Sequence, residues 1–322
     1  MAKSAPGKAH REGITLLQIV EMFPTEESAH DWFVEQRWGC TGRFCPRCGN
    51  TETSEKGMVF WCGGCRRRFS VRTGTAMERS KIPLRKWVIA IYLSVTSLKG
   101  VSSMKLHRDL GITQKSAWFM AHRIREAMMG ESGGFFGPAE ADESYFGGKR
   151  RNMSNSKRKE LAGTGRGTAG KAAVAGVKDR NSNKVAARVM EATDAGALQG
   201  FVRDNVRPGA TLYTDEAKAY KGMPEFTHEA VNHSVAEYVR GQAHTNGMES
   251  FWAMLKRGYA GTFHKLSHKH LQRYVNEFAG RHNIRESDTA DMMAALAAGM
   301  VGKRLLYTDL IADNGLASGA RC

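Results

Sequence analysis

The spacing of hydrophobic side chains predicts helices over most of the first 130 residues. Apolar residues recur at helical intervals between positions 14 and 38, with a break at Pro24, and again between positions 83 and 129. Thr25 is followed by Glu26 and Glu27, which is typical of a helix start with acidic residues in its first turn. We therefore predict a second helix beginning at Thr25.

The stretch from 101 to 129 predicts a helix-turn-helix. A short helical segment ends at Gly111, and a longer one follows Thr113, which is a plausible N-cap. Gln114, Lys115 and Ser116 would then point outward, where they could reach a DNA major groove. The alternative is a helical hairpin that only packs on its neighbours.

Beyond Gly133–Gly134 the pattern changes to strands alternating with helices, which predicts an α/β fold. Strands are expected at 139–146, 172–177, 185–190 and 211–214, and helices at 195–205, 246–256 and 267–283. The segment 147–171 is dominated by Lys, Arg, Gly, Ser and Asn, and we expect a mobile basic loop there. Its first basic residues are candidate DNA contacts: Lys149, Arg150 and Arg151.

The charge balance favours a polyanionic partner. The chain has 48 Lys and Arg against 32 Asp and Glu, a net charge of +16. Such an excess attracts nucleic acid through phosphate contacts, although charge can also serve solubility alone. No apolar stretch approaches the roughly 18 residues of a membrane helix, and no apolar segment follows the basic N-terminus as in a secretory signal. We therefore expect a cytoplasmic protein with no membrane partner.

Two C-x-x-C pairs predict a structural zinc site. Cys45 and Cys48 form the first pair, Cys62 and Cys65 the second, and thirteen residues separate the pairs. Zn²⁺ prefers four thiolates at tetrahedral corners, which two such turns can supply. A single C-x-x-C could instead be a redox dithiol. The pairing predicts a zinc ribbon whose closed site has no catalytic role.

Arginines follow the second cysteine pair directly. Arg66, Arg67 and Arg68 are candidate DNA contacts because cationic side chains beside a compact ribbon can reach phosphates. The alternative is a solvated basic face without a partner.

Three acidic residues stand where a metal-dependent phosphoryl-transfer site would need them. Asp142 lies within the first predicted strand, Asp215 follows a later strand, and Glu249 lies in the first turns of a helix. Carboxylates are the ligands that Mg²⁺ prefers, and two such ions can activate the attacking oxygen and stabilise the leaving one. Lys256 is seven residues beyond Glu249 and so lies on the same side of the helix. Taken singly, each acid is most simply a surface residue.

The amino-acid sequences of four segments resemble the motifs of a known family. The motifs are D-E-S-Y-F-G-G-K at 142–149, Y-T-D-E at 213–216, H-T-N-G-M-E-S-F-W at 244–252 and L-K-R-G at 255–258. Together with the cysteine pairs they resemble the zinc-ribbon DDE transposases of small bacterial insertion sequences. The resemblance extends from about residue 23 to residue 310.

This resemblance implies an RNase H-like mixed sheet flanked by helices, preceded by a zinc ribbon and a helix-turn-helix. It implies that Asp142, Asp215 and Glu249 bind two Mg²⁺ or Mn²⁺ ions and that Lys256, beside Arg257, contacts DNA near the scissile phosphate. In this family the third position is sometimes assigned to asparagine, so Asn246 stays an alternative to Glu249. We favour Glu249, because a carboxylate neutralises Mg²⁺ better.

The expected organisation follows from these segments. It comprises an N-terminal helical segment at 1–38, a ribbon at 39–75, a helix-turn-helix at 80–130, a catalytic domain at 135–310 and a flexible tail at 311–322. The expected partners are double-stranded DNA, as terminal inverted repeats and target, and at least a second copy of the chain. Two alternatives are a DNA-binding regulator with an idle catalytic domain and a nuclease that cuts without joining.

Overall fold

A computed structural model describes residues 12–130, 133–148, 152–162, 168, 170–215, 218–231 and 245–316. The chain forms two compact units. The first combines residues 1–130 with 284–312, and the second combines 131–283 with 313–322. Within the described part of the chain, no helix is both long and apolar enough to span a bilayer.

The first unit contains helices from both ends of the chain and a small sheet. Its elements are α1 (Leu16–Met22), α2 (Glu26–Trp38), β1 (Thr53–Lys56), β2 (Val59–Cys62), β3 (Arg68–Phe69), α3 (Leu84–Thr96), α4 (Ser103–Leu110), α5 (Gln114–Ala127), α10 (Thr289–Gly299) and α11 (Tyr307–Ile311).

Threonine caps begin both N-terminal helices. The Thr25 hydroxyl accepts a hydrogen bond from the backbone N–H of Ser28, so the predicted start of α2 is confirmed. Thr15 caps α1 in the same way through Gln18. Such caps satisfy backbone donors that the first helical turn leaves without partners.

The ribbon sheet has the antiparallel order β1-β2-β3. Along β2, Phe60 and Cys62 are buried, whereas Val59 and Trp61 are exposed, as expected for a sheet with one face exposed to solvent. Trp38 of α2 packs edge-on against Phe60 with ring centroids 5.6 Å apart. The sequence did not predict β1, because its T-S-E-K side chains are almost all exposed and carry no apolar alternation.

The helix-turn-helix is confirmed. Gly111 ends α4 in the left-handed conformation (φ 57°), which glycine adopts without strain. Thr113 then caps α5 by accepting from the Ser116 N–H. The helix α3 packs against both α4 and α5, which gives the motif its third helix.

Helix α10 belongs to the first unit, where it packs on α2, α3 and α5. Met292, Leu296 and Met300 are buried in that unit's core. At Gly299 a Cβ atom would lie 2.6 Å from the Ala127 carbonyl oxygen, so α10 and α5 approach too closely for a side chain there. The expected catalytic segment 135–310 therefore differs from the packing, which assigns residues 284–312 to the first unit. The apolar residues of α10 are buried by packing on helices of the first unit. Those helices are far from α10 in the sequence, so the spacing of residues does not predict the contact.

The second unit is built on a five-stranded sheet of order β6-β5-β4-β7-β8. The strand β5 pairs antiparallel with both β4 and β6, whereas β7 pairs parallel with both β4 and β8. This mixed sheet, flanked by helices, confirms the RNase H-like fold. The elements of this unit are β4 (Ala139–Phe146), α6 (Asn155–Glu160), β5 (Ala172–Asp179), β6 (Val185–Met190), α7 (Ala195–Asn205), β7 (Thr211–Asp215), β8 (Thr227–Val231), α8 (Asn246–Gly258) and α9 (Leu271–Ile284).

Two hydrophobic clusters cover the two faces of this sheet. Ala139 and Ala141 of β4 pack in the cluster that includes α7, whereas Phe146 packs in the cluster of α8 and α9. The sequence did not predict β8, whose T-H-E-A-V pattern is short and weakly apolar. In the segment predicted as a basic loop, the described residues include the short helix α6.

Candidate catalytic and zinc sites

Strand register brings the first two predicted carboxylates together. In the parallel pair of β4 and β7, Glu140 lies opposite Tyr213. Asp142 and Asp215 each stand two residues farther along, so both project from the same face as that pair. The paired register ends at Glu140 and Tyr213, and both aspartates lie just beyond it.

Helix α8 packs closely on that face because β5 has a glycine there. Gly176 is the cross-strand partner of Asp142. A Cβ atom on Gly176 would lie 2.3 Å from the Met248 Cε and 2.8 Å from the Trp252 Cζ2. This close packing lets the Trp252 indole N–H donate a 3.0 Å hydrogen bond to Oδ2 of Asp142.

Electrostatics also link the three predicted ligands. The pKa of Asp142 is raised to about 6, mainly by burial, and the negative charges of Asp215 and Glu249 contribute to this rise. The Glu143 N–H donates to Oδ1 of Asp142 at 2.8 Å and opposes this shift. A buried carboxylate with other negative charges nearby is typical of a site that binds cations.

Glu143 lies on the other face of β4, beside Tyr220. The pKa of Glu143 is raised to about 7, mainly by burial. A hydrogen bond from Tyr220 opposes this rise, and the charges of Asp215 and Asp142 add to it. Burial likewise raises the pKa of Tyr220, with Glu143 adding to the shift. The sequence shows only that Glu143 is next to Asp142, since Tyr220 lies in a short 3₁₀ turn far along the chain.

The third predicted ligand and its alternative both lie in the first turn of α8. Glu249 and Asn246 are exposed, and Lys256 and Arg257 are exposed in the last turn. Among the described residues, the four cysteines form a group of side chains that could bind a metal ion, whereas Asp142, Asp215 and Glu249 do not form a second such group. The fold therefore gathers the carboxylates around one edge of the sheet without forming a compact cluster.

The four predicted zinc ligands form one compact set. Their sulfurs all lie within 4.8 Å of one another, with 3.8 Å between the Cys45 and Cys65 sulfurs and 3.5 Å between those of Cys48 and Cys62. The Cys65 N–H points to the Cys62 sulfur at 3.4 Å. Four converging thiols are the donor set that structural zinc prefers, and this cluster could bind it.

Both cysteine turns end in a left-handed residue. Gly49 (φ 76°) directly follows Cys48, and Arg66 (φ 51°) directly follows Cys65. This conformation reverses the chain after each second cysteine, so that both pairs of sulfurs point inward. Arg66 adopts it despite the steric cost of a side chain, which indicates that the surrounding turn imposes it.

The predicted DNA contacts differ in their surroundings. Arg66, Arg67 and Arg68 are exposed. Gln114 and Lys115 are also exposed, but each has a partner within its own unit. The Gln114 amide donates to the Ser103 hydroxyl at 3.2 Å, and the Lys115 ammonium lies 4.5 Å from the centre of the Tyr307 ring. Ser116 is half-buried. Lys149, Arg150 and Arg151 lie outside the described residues.

Comparison with known proteins finds similarity to transposases. Residues 135–283 match the ISXO2-like transposase domain, and this range coincides with the sheet and helices of the second unit. An uncharacterized protein in transposable element ISH50 of Halobacterium salinarum is 28% identical over 279 residues, covering 82% of this chain and 93% of that protein. An uncharacterized transposase-like protein of Haemophilus influenzae is 29% identical over 105 residues, covering 32% of this chain and 84% of that protein.

Residues 135–283 are therefore similar to the ISXO2-like transposases, the kind of protein that the motifs of the chain predicted. This similarity supports a transposase role and suggests an enzyme that acts on DNA. The family also suggests a divalent metal for catalysis.

Proposed function

We propose that this protein is a DNA transposase that binds the terminal inverted repeats of its own element and catalyses metal-dependent strand cleavage and strand transfer. The observation that carries the proposal is the convergence of Asp142, Asp215 and α8 on one sheet face within an ISXO2-like transposase domain. The exposed ribbon arginines and the start of α5 are the proposed DNA contacts.

Asp142, Asp215 and Glu249 are the proposed ligands of Mg²⁺ or Mn²⁺. Their oxygens are the hard donors that these ions prefer, and the mutual repulsion that raises the pKa of Asp142 is relieved when cations bind. Bound there, two such ions would activate the attacking oxygen and neutralise charge on the leaving one. The Trp252 indole would hold the Asp142 carboxylate in place during the reaction.

The proposed reaction has two displacements at phosphorus. A water oxygen first attacks the phosphate at the element end, the bond to the 3′ oxygen breaks, and that oxygen takes a proton to become a 3′-hydroxyl. The same 3′ oxygen then attacks a phosphate of target DNA, a new phosphodiester forms, and a target 3′ oxygen leaves. Lys256 and Arg257, exposed at the far end of α8, would contact the DNA backbone near this site.

The decisive experiment uses duplex oligonucleotides bearing the ends of the element, with Mg²⁺ and a target duplex. The wild-type protein should cleave and then join. Asp142→Asn and Asp215→Asn should each lower both rates about 1,000-fold or more, since several kcal/mol of transition-state stabilisation would be lost. Binding of the end duplex should persist in both variants.

Asp204→Asn is the matched control, because Asp204 is an exposed carboxylate of the same unit, paired with Arg188 at the surface. It should retain full activity. Cleavage without joining would identify a nuclease instead, and DNA binding without either reaction would identify a regulator. Strand transfer that survives in both aspartate variants would refute the assignment of these residues.

A further inference from the structure

A buried carboxylate outside the predicted triad contacts each element that carries one of its members. Glu140 lies on β4, two residues before Asp142 and on the same face, and its exposed fraction is only 2%. One oxygen accepts from the Arg180 Nε at 2.8 Å, and the other accepts from the backbone N–H of Met248 at 2.9 Å. Met248 directly precedes Glu249.

Arg180 extends this connection to the remaining strand. Its guanidinium carbon lies 4.1 Å from the centre of the Tyr213 ring, and Tyr213 stands two residues before Asp215. Tyr213 is also the register partner of Glu140, in the last pair before β4 and β7 separate. Glu140 and Arg180 therefore contact β4, β7 and α8 within two residues of each proposed ligand.

The contact to α8 replaces an ordinary helix cap. Thr245, the N-cap residue, makes no side-chain capping hydrogen bond. The first turn of a helix leaves backbone N–H groups without helical partners and carries partial positive charge. The Glu140 carboxylate satisfies one of these donors and complements that charge from a separate strand.

Gly247 permits the contact. A Cβ atom at this position would lie 2.7 Å from Oε2 of Glu140 and 2.8 Å from the Nζ of Lys178. Glycine thus allows the first turn of α8 to approach the buried carboxylate, one residue before the N–H that Glu140 accepts.

A contribution to stability alone does not explain the buried ion pair of Glu140 and Arg180. A buried ion pair recovers its desolvation cost only with good geometry and added hydrogen bonds, and apolar replacements are often as stable. The Glu140 carboxylate instead fixes the position of the first turn of α8 relative to β4 and β7. We propose that Glu140, held by Arg180, is a positioning residue that sets where Glu249 lies relative to Asp142 and Asp215.

This inference rests on the proposed function for its catalytic consequence, but its structural part can be tested separately. Hydrogen exchange of the amides in the first turn of α8 should be about tenfold faster or more in Glu140→Ala, because a hydrogen bond to a charged group is lost. Glu140→Gln keeps an acceptor for Met248 and should show a smaller change. Unaltered exchange in Glu140→Ala would overturn the inference whatever the protein catalyses.

The catalytic readout is the dependence of strand transfer on Mn²⁺ concentration. Glu140→Ala should need about 10- to 100-fold more Mn²⁺ for half-maximal rate, the range seen when groups that orient metal ligands are removed. Glu140→Gln should recover part of this loss. Gly247→Ala keeps every charge but places a methyl group against the Glu140 carboxylate. The carboxylate or α8 must then move, which disturbs the contact with Met248 and should shift the Mn²⁺ dependence in the same direction.

Glu277→Gln is the matched control. Glu277 is also buried and pairs with Arg281 at 3.0 Å, but both lie within α9. Its Mn²⁺ dependence should match the wild type. If Glu140→Ala and Glu277→Gln lose activity equally at all Mn²⁺ concentrations, Glu140 is only structural and the inference fails. If the wild type neither cleaves nor joins, the proposed function fails, and the exchange measurement alone decides whether Glu140 fastens α8.

Discussion

The two metal sites that the sequence predicts are assembled in different ways. The four cysteines that could bind zinc come from two short turns, and their sulfurs lie within 4.8 Å of one another. The carboxylates come from β4, β7 and α8, and no local turn relates them. One site is specified by backbone conformation over a few residues, whereas the other depends on strand register and helix packing across the second unit.

This difference determines how each site tolerates change. The cysteine turns depend on the left-handed residues Gly49 and Arg66, each next to its ligands. The carboxylates depend on residues that bind nothing, such as Gly176, which admits Trp252 to Asp142. A substitution far from any ligand should therefore disturb the carboxylate site and leave the cysteine cluster intact.

Of the substitutions that test this difference between the two sites, we expect the largest effect from one at a cysteine of the cluster. Cys62→Ser should remove bound zinc almost completely, since Cys62 is fully buried and a hydroxyl is a poor zinc ligand. Because zinc binding contributes folding energy, the ribbon should lose its structure and binding of the end duplex should fall sharply. Elemental analysis of the natively purified protein and a binding assay would measure both.

Cys40→Ser is the control for this experiment, because Cys40 is exposed and lies outside the cluster. Its zinc content should stay at about one ion per chain, the stoichiometry of a closed four-thiolate site. Zinc retained in Cys62→Ser, or absent from the wild type, would contradict the zinc assignment and remove the comparison between the two sites.

A second test separates Glu249 from Asn246 on α8. Glu249→Gln should lower strand transfer about 100-fold or more, because an amide cannot neutralise a divalent ion as a carboxylate does. Asn246→Ala should cost much less if Glu249 is the ligand. Ser250→Ala, exposed in the same turn, serves as the control for changes to this surface. A larger loss in Asn246→Ala than in Glu249→Gln would make Asn246 the third ligand.

The sequence predicted the local features of this protein well. The caps at Thr25 and Thr113, the cysteine cluster and the helix-turn-helix all depend on residues close together in the chain, where side-chain chemistry and spacing are informative. The strand β4 was also predicted, with the bounds 139–146 that the structure has.

Relations between distant segments were not predictable from spacing. The packing of α10 in the first unit joins segments that the sequence assigned to different domains. The contact of Glu140 with Met248 depends on the angle at which α8 crosses β4, which no periodicity encodes. A signal did exist at Glu140, since a glutamate between Ala139 and Ala141 in a buried strand calls for a partner. That partner could be named only from the structure.

The smallest expected effect tests the claim that non-ligand packing shapes the carboxylate site. Gly176→Ala should destabilise the second unit by about 1–3 kcal/mol, because the added methyl meets the rigid Trp252 ring and must shift it or α8. The indole should also move from Asp142 and weaken its hydrogen bond. Thermal unfolding and the Mn²⁺ dependence of strand transfer would measure the two consequences.

Gly200→Ala is the matched control, since Gly200 lies in α7 and a Cβ atom there would meet nothing within 4 Å. It should be stabilising by about 0.5–1 kcal/mol, because alanine favours a helix over glycine. Opposite signs for the two substitutions would attribute the loss at Gly176 to the close packing of α8. Zinc content should be unchanged in both, as the cysteine turns lie in the other unit. Equal stability of the two variants would mean that α8 can relax without cost and that the carboxylate site is as tolerant of remote change as the cysteine cluster.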